Sequence, residues 1–408
     1  MIELVIAALW FAMVTLLLTR AFFQYRHYEV LSPKFMSTQD APSVTVIIPA
    51  RNEARNIFQC VSSLREQNYP EEKRNIIVVD DNSEDETSAL ASKAARSDSR
   101  IKLIQGSKLP SGWMGKPFAC WQGAQLAESD WLCFIDADTT ASPALLATAI
   151  STAQIRNLDM LSLEPFQVLG SFWERLIIPA GFVLLAFQQD VRKTNDPDNP
   201  EAVANGQFIL IRRDVYRKLG GHASVRTQVT EDTALAQAVK NTGGRLALLG
   251  AEQLIQTRMY TGLKSLWEGF SKNLTETVGG IIPALLVGLS ALIMAGAALV
   301  IPMWTGVRAF EALKPILAVA FGLGMFGSAA LFATHISATR YFIIPFGYGF
   351  LFPLGYIMGT ALAINSVLAH LRRRITWKGR TYESAFEPRE NKAAHNRAST
   401  LSRREKTS

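Results

Sequence analysis

The 408-residue chain is long enough for one large α/β domain plus membrane segments, so burial of a core is not limiting. Apolar residues make up 49% of it and charged residues 19%, and the apolar ones gather in long runs, which argues against an ordinary soluble domain and for a membrane protein. The formal charge of +7 does not signal a nucleic-acid partner: residues 371–408 hold eleven Lys/Arg against four Asp/Glu, and the first 370 residues hold 31 of each sign.

Leu4–Leu18 is an uncharged apolar run with Glu3 before it and Arg20, Arg26 and Lys34 after it. A cleaved signal peptide would place its cations first, so residues 1–22 are expected to form a transmembrane anchor whose C-terminal end faces the cytoplasm. Three cysteines, Cys60, Cys120 and Cys133, have neither CxxC spacing nor an even count, which fits a reducing compartment without a disulfide framework or a zinc site.

From Ser43 to about Gly250 the composition is globular. Strand-like runs at Val44–Pro49, Asn75–Asp80, Ile101–Gln105 and Trp131–Asp136 alternate with helix-period stretches at Ala54–Gln67, Glu86–Ala95 and Pro117–Ala127. The alternation predicts βαβ units and a mostly parallel, Rossmann-like sheet. Ligands of such sheets sit at the carboxyl ends of the strands, so Pro49–Glu53, Asp80–Ser83 and Asp136–Asp138 are expected to converge on one crevice.

Within residues 171–190, the apolar run Leu176–Phe187 is too short to span a bilayer and reads as an interfacial or re-entrant helix, with a buried core helix as the plain alternative. Residues 280–371 return to membrane character at Gly280–Trp304, Pro315–Thr334 and Tyr341–Leu371. If all three crossed, together with the N-terminal anchor, Arg372 would fall on the outer side, against the positive-inside rule. The last stretch is long and carries Pro345 and Pro353, so it is read as a hairpin, or as a span plus an interfacial piece, that restores the parity. Residues 372–408 are expected to be a basic cytoplasmic tail, disordered after Glu383.

Asp136-Ala137-Asp138 puts two carboxylates one residue apart at a strand end, where both can reach a divalent cation (Mg2+ or Mn2+) that also bridges nucleotide phosphates; an ordinary solvated turn is the alternative. Asp80-Asp81-Asn82-Ser83 ends another strand, with a carboxylate available to a nucleobase or ribose and Ser83 expected to cap the next helix. Thr230-Glu231-Asp232 precedes the helical stretch Thr233–Lys240, either as acids that complement its dipole or as the source of a general base. Gly112–Lys116 lacks Walker A spacing but could meet a phosphate through its amides and the Lys116 ammonium, or be a plain turn.

Taken together, Val-Ile-Ile-Pro-Ala-Arg-Asn-Glu (46–53), Val-Val-Asp-Asp-Asn-Ser-Glu-Asp-Glu-Thr (78–87), Asp136/Asp138, Asn-Gly-Gln-Phe-Ile-Leu-Ile-Arg-Arg (205–213) and Thr-Glu-Asp (230–232) resemble family 2 glycosyltransferases, which have the GT-A fold. Gly-Trp-Met-Gly-Lys (112–116) and Trp-Lys-Gly-Arg-Thr-Tyr (377–382) are similar to the membrane-bound, lipid-glycosylating branch, which includes hopanoid-associated, carotenoid and ceramide enzymes. The resemblance implies a GT-A domain over residues 43–273 and a nucleotide-sugar site at Pro49, Ala50, Glu53, Asp80, Asp81, Lys116 and Asp136. It further implies a metal at Asp138 with Asp136 assisting, Asp232 as catalytic base beside Glu231, and an acceptor region at Gly206, Gln207, Arg258 and Trp267. The implied partners are a nucleotide-sugar donor, with UDP-sugars the family default, a membrane lipid acceptor of hopanoid, carotenoid, glycerolipid or sphingolipid type, and the bilayer of the inner membrane. A processive polysaccharide synthase is the competing reading, but the QxxRW signature of processive and ceramide-type members is absent: Gln256, Arg258 and Trp267 do not have its spacing. A non-catalytic scaffold would not need all three acidic sites.

Overall fold

The computed structural model describes residues 1–33, 41–95, 98–187, 190–372 and 375–382; the expected disordered stretch after Glu383 lies outside them. After helix α1 (Ile2–Arg26), the chain runs β1 (Val44–Ala50), α2 (Ile57–Arg65), β2 (Arg74–Asp80), α3 (Thr87–Ala95), β3 (Ile101–Gln105), α4 (Gly115–Gln125) and β4 (Trp131–Ile135). It continues through β5 (Thr139–Ala141), α5 (Leu145–Ile155), β6 (Met160–Glu164), β7 (Phe166–Gln167), α6 (Phe172–Ala186), α7 (Val191–Asn195), β8 (Phe208–Arg212) and α8 (Arg213–Lys218). Next come α9 (Glu231–Asn241), β9 (Leu246–Gly250), β10 (Ile255–Thr257), α10 (Leu263–Thr277), α11 (Ile281–Ala312), α12 (Pro315–Tyr341), α13 (Phe352–Leu371), β11 (Ile375–Trp377) and β12 (Arg380–Tyr382).

Seven strands form the central sheet in the order β3-β2-β1-β4-β8-β6-β9. The strands are rich in apolar residues because helices cover both faces, as β1 shows with Val44, Val46, Ile47 and Ile48 all fully buried. Only β8 runs against its neighbours, pairing antiparallel with both β4 and β6, so the sheet is mostly parallel. A small second sheet, β5-β10-β7, sits beyond the end of β4.

Helix α6 starts with a capping box, in which the Ser171 hydroxyl accepts from the Glu174 amide and the Glu174 carboxylate from the Ser171 amide. Its apolar face is buried against α10, α12 and α13 rather than left open: Leu176, Ile177 and Ile178 pack with Leu266, Phe342 and Leu362. The approach to α13 is close, since a Cβ at Gly355 would lie 2.7 Å from the Leu176 carbonyl oxygen.

Among the described residues, four helical segments, Ile2–Arg26, Ile281–Ala312, Pro315–Tyr341 and Phe346–Leu371, are long and apolar enough to cross a membrane. Their ends differ. The start of α1 meets the end of α11 through Glu3 and Arg308, 3.3 Å apart. The end of α1 joins the α/β domain, with Tyr28 donating to Glu164 and Val30 bridging to Gly250. The end of α12 also meets the domain, where the Tyr341 hydroxyl donates to Glu252 at 2.9 Å. From there the chain turns back along α12, so that Gly349 packs on the Ile336 backbone and Phe352 stacks on His335. It then returns through α13 to α10, where Ser366 and Asn365 bond to Thr275 and Ser271. Residues 342–371 therefore leave and re-enter on the side of the α/β domain.

Candidate active site

The carboxyl ends of β1, β2 and β4 open onto one crevice, as their parallel register requires. The first two loops are tied together by left-handed asparagines, Asn52 (φ 53) and Asn82 (φ 55). The Asn52 amide donates to the Ser83 hydroxyl at 3.1 Å, and its side-chain oxygen accepts from the Glu84 amide at 2.9 Å. Ser83 thus clips two loops instead of capping α3, which begins four residues later with Asp85 accepting from the Thr87 amide. Asp80 Oδ1 accepts from the Ser83 amide at 3.0 Å, closing a turn, whereas Asp81 Oδ1 is buried with no hydrogen-bond partner. Pro49 and Ala50 form the last pairs of β1, and the Ala50 carbonyl accepts from the Asp81 amide.

The second half of the crevice is organised by one cation. Lys116 lies in the first turn of α4, and its ammonium meets Asp136 Oδ1 at 2.8 Å, Glu231 Oε1 at 3.1 Å and the Gly206 carbonyl at 3.2 Å. Burial alone would lower its pKa, but Asp136, Glu231 and Asp232 hold it well above the ordinary lysine value. Glu231 and Asp232 fall inside the first turn of α9 rather than before it. Asp232 is fixed from two sides, with the Gly206 amide donating to Oδ2 at 2.8 Å and the Thr233 amide to Oδ1 at 2.7 Å. Burial and the neighbouring Glu231 charge push Asp232 up to about 6. Burial would raise Glu231 too, yet Lys116 and Lys272 outweigh it and hold that carboxyl below its usual value.

Asp138 differs from Asp136. Asp136 is paired with Lys116, while Asp138 Oδ1 is buried and accepts nothing. Burial, with Asp136 and Glu53 beside it, pushes Asp138 up to about 7. Such a carboxylate is stabilised by a cation. Among the described residues no cluster of three or more His, Cys, Asp or Glu could hold a metal by itself. Asp138 and Asp136 therefore suit an ion whose remaining ligands come from a bound phosphate or from water.

Gly206 belongs to this cluster, whereas Gln207 is buried one residue away, donating to Thr257 and accepting from Gln167. Arg258 turns from the crevice to Glu174 at 3.2 Å, and Trp267, on α10, packs against the cluster that holds Leu169 and Tyr260. His222 is a structural residue, its amide donating to the Tyr216 hydroxyl and its ring against Phe134.

Two cations reach the crevice from far along the chain. β11 and β12 pair as a hairpin whose two-residue turn is Lys378-Gly379, with φ of 46 and 79, as a type I′ turn requires. Lys378 pairs with Glu53, Arg380 with Asp81, and Arg51 Nε donates to the Lys378 carbonyl at 3.1 Å. The only sequence trace of this contact is the Trp-Lys-Gly-Arg-Thr-Tyr segment, which carried no site role. Asp81, Glu53, the Asp136/Asp138 pair and Asp232 are thereby joined in one continuous charged network.

Residues 45–220 match the family model described as glycosyl transferase family 2. They form a family 2 glycosyltransferase domain. The 4,4'-diaponeurosporenoate glycosyltransferase of Staphylococcus aureus (strain USA300) is 30% identical over 251 residues, which cover 60% of this chain and 64% of that protein. The mannosyltransferase PcManGT from Pyrobaculum calidifontis, solved in complex with GDP-Man and Mn2+, superposes with a TM-score of 0.52 at 17% identity, covering 91% of this chain and 98% of that one. That likeness, over 91% of this chain, is one of overall fold.

Proposed function

We propose that the chain transfers a single sugar, with inversion, from a nucleotide-sugar to a lipid acceptor at the face of a bilayer. The observation that carries this reading is the pairing of a doubly held carboxylate, Asp232, with an unpartnered one, Asp138, on either side of Lys116 in a crevice that adjoins the apolar helices. The acceptor hydroxyl oxygen forms a bond to the anomeric carbon as its proton passes to Asp232, and the bond from that carbon to the diphosphate oxygen breaks. A base near pKa 6 is mostly ionised at neutral pH, while its two amide donors fix its direction. Lys116 holds Asp136 and Glu231 in place, and Asp138 with Asp136 would hold a Mg2+ or Mn2+ ion. When bound, that ion offsets charge on the leaving diphosphate.

The relative's name, a glycosyltransferase acting on a carotenoid acid, supports an elongated apolar acceptor. The domain and the tail are assigned to the cytoplasmic side of the inner membrane, with α1, α11 and α12 crossing and residues 342–371 re-entrant. This arrangement keeps the Arg-rich segment inside. The test uses full-length protein in detergent with UDP-sugars first, then other nucleotide-sugars, and a total lipid extract, with products read by mass spectrometry. One glycolipid bearing one added sugar is expected. A product ladder would instead indicate processive synthesis. Asp232→Asn should retain donor binding and lose about two to four orders of magnitude in turnover, and normal turnover by that variant would refute the assignment.

A further inference from the structure

The C-terminal hairpin is the feature least explained by a family 2 domain, because it places two cations on carboxylates that face the donor. Lys378 sits on Glu53, close enough to the Asp136/Asp138 pair to stabilise both carboxylates. Arg380 grips Asp81 through both its side chain and its carbonyl, yet leaves Asp81 Oδ1 buried and unpartnered. The hairpin therefore does not exhaust the carboxylate it touches. Charge balance points the same way. The crevice carboxylates Glu53, Asp81, Glu84, Asp136, Asp138, Glu231 and Asp232 face Arg51, Lys116 and Lys272 from the rest of the chain, and the hairpin raises three cations to five. A nucleoside diphosphate adds further negative charge, which the crevice without the hairpin is poorly set to accept.

We propose that the hairpin 375–382 is a part of the donor site, with Lys378 binding the diphosphate of a nucleotide-sugar and Arg380 holding Asp81 in position to accept from the nucleoside. The proposal rests on the glycosyl-transfer reading above. The turn geometry suits the task, since a two-residue I′ loop projects the Lys378 ammonium on a short, stiff support. The hairpin leaves the end of α13 and packs beside α10, so its position is tied to the apolar helices.

Full-length protein in detergent is titrated calorimetrically with UDP, GDP, UMP and uridine in Mn2+ buffer. Lys378→Ala should weaken diphosphate binding by about 10–100-fold, the loss expected for one charge-assisted contact, and leave uridine binding unchanged. Arg380→Ala should weaken both, and Lys378→Arg should recover most of the diphosphate affinity, which a merely folding-related defect would not do. Unchanged or tighter UDP binding in either alanine variant would overturn the proposal, the tighter result marking the hairpin as a plug that competes with donor. If the wild-type protein bound no nucleotide, the glycosyl-transfer reading itself would fall, and the hairpin's role with it.

Discussion

Gly206→Ala offers a sharp test of the base assignment, because it leaves every acidic residue in the sequence and acts on Asp232 only by contact. An ideal Cβ at this position would lie 2.9 Å from Asp232 Oδ2, 2.9 Å from Lys116 Nζ and 3.3 Å from Asp232 Cβ. Ordinary contact begins near 3.4 Å, so both side chains must retreat by several tenths of an ångström. The same Oδ2 accepts the 2.8 Å bond from the Gly206 amide, which that movement stretches or breaks. A hydrogen bond to a charged group contributes about 1.5–3 kcal/mol. If that energy serves to aim the base, kcat falls about 10–150-fold. The assay is steady-state transfer with saturating donor, alongside calorimetric UDP affinity and the apparent unfolding temperature. The expected pattern is a lower kcat with donor affinity within about threefold and unfolding within a few degrees of wild type. A variant with wild-type kcat would show that the position of Asp232 does not matter, and the proposed mechanism would be wrong.

The rate should fall tenfold per pH unit below about 6, as Asp232 takes up a proton and ceases to be a base, and a profile flat to pH 5 would contradict the role. Lys116→Met removes the cation shared by Asp136, Glu231 and Asp232, so that acid limb should move upward by about one unit or more, as read from kcat against pH. Glu174→Ala should lower stability by about 1–2 kcal/mol through the lost capping box and the unpaired Arg258, with UDP affinity unchanged; a loss of affinity instead would place Arg258 in the site. Gly355→Val should drive α13 from α6 and lower the apparent unfolding temperature, and a neutral result would mean that the close approach at Leu176 is not maintained in the bilayer.

The strands of the first half were legible because β1, β2 and β4 are buried on both faces and carry apolar runs, which in β2 and β4 lead straight into Asp80 and Asp136. Their convergence followed from parallel pairing, which local sequence determines through strand and helix alternation. The second half was less legible. β8 enters between β4 and β6 through contacts some 50–80 residues apart in sequence, and nothing in Phe208–Arg212 itself announces an antiparallel partner. Ser83 was misread as a helix cap because Ser is equally suited to clipping two loops, and the choice depends on where Asn52 lies. Arg258 gave no sign of its partner, Glu174, 84 residues earlier. Lys378 and Arg380 read as part of a basic tail because charge alone does not reveal that Glu53 and Asp81, about 300 residues away, await them.

The hairpin's place in the chain also governs the order of assembly. A ribosome delivers residues 375–382 only after every apolar helix has been made, so the nascent protein carries an over-acidic crevice until α13 has been inserted and its trailing turn has swung back onto Glu53 and Asp81. Chains truncated before the hairpin or poorly inserted would display the same sheet and the same acids yet hold donor weakly, which makes nucleotide binding a built-in check that the apolar helices are in place.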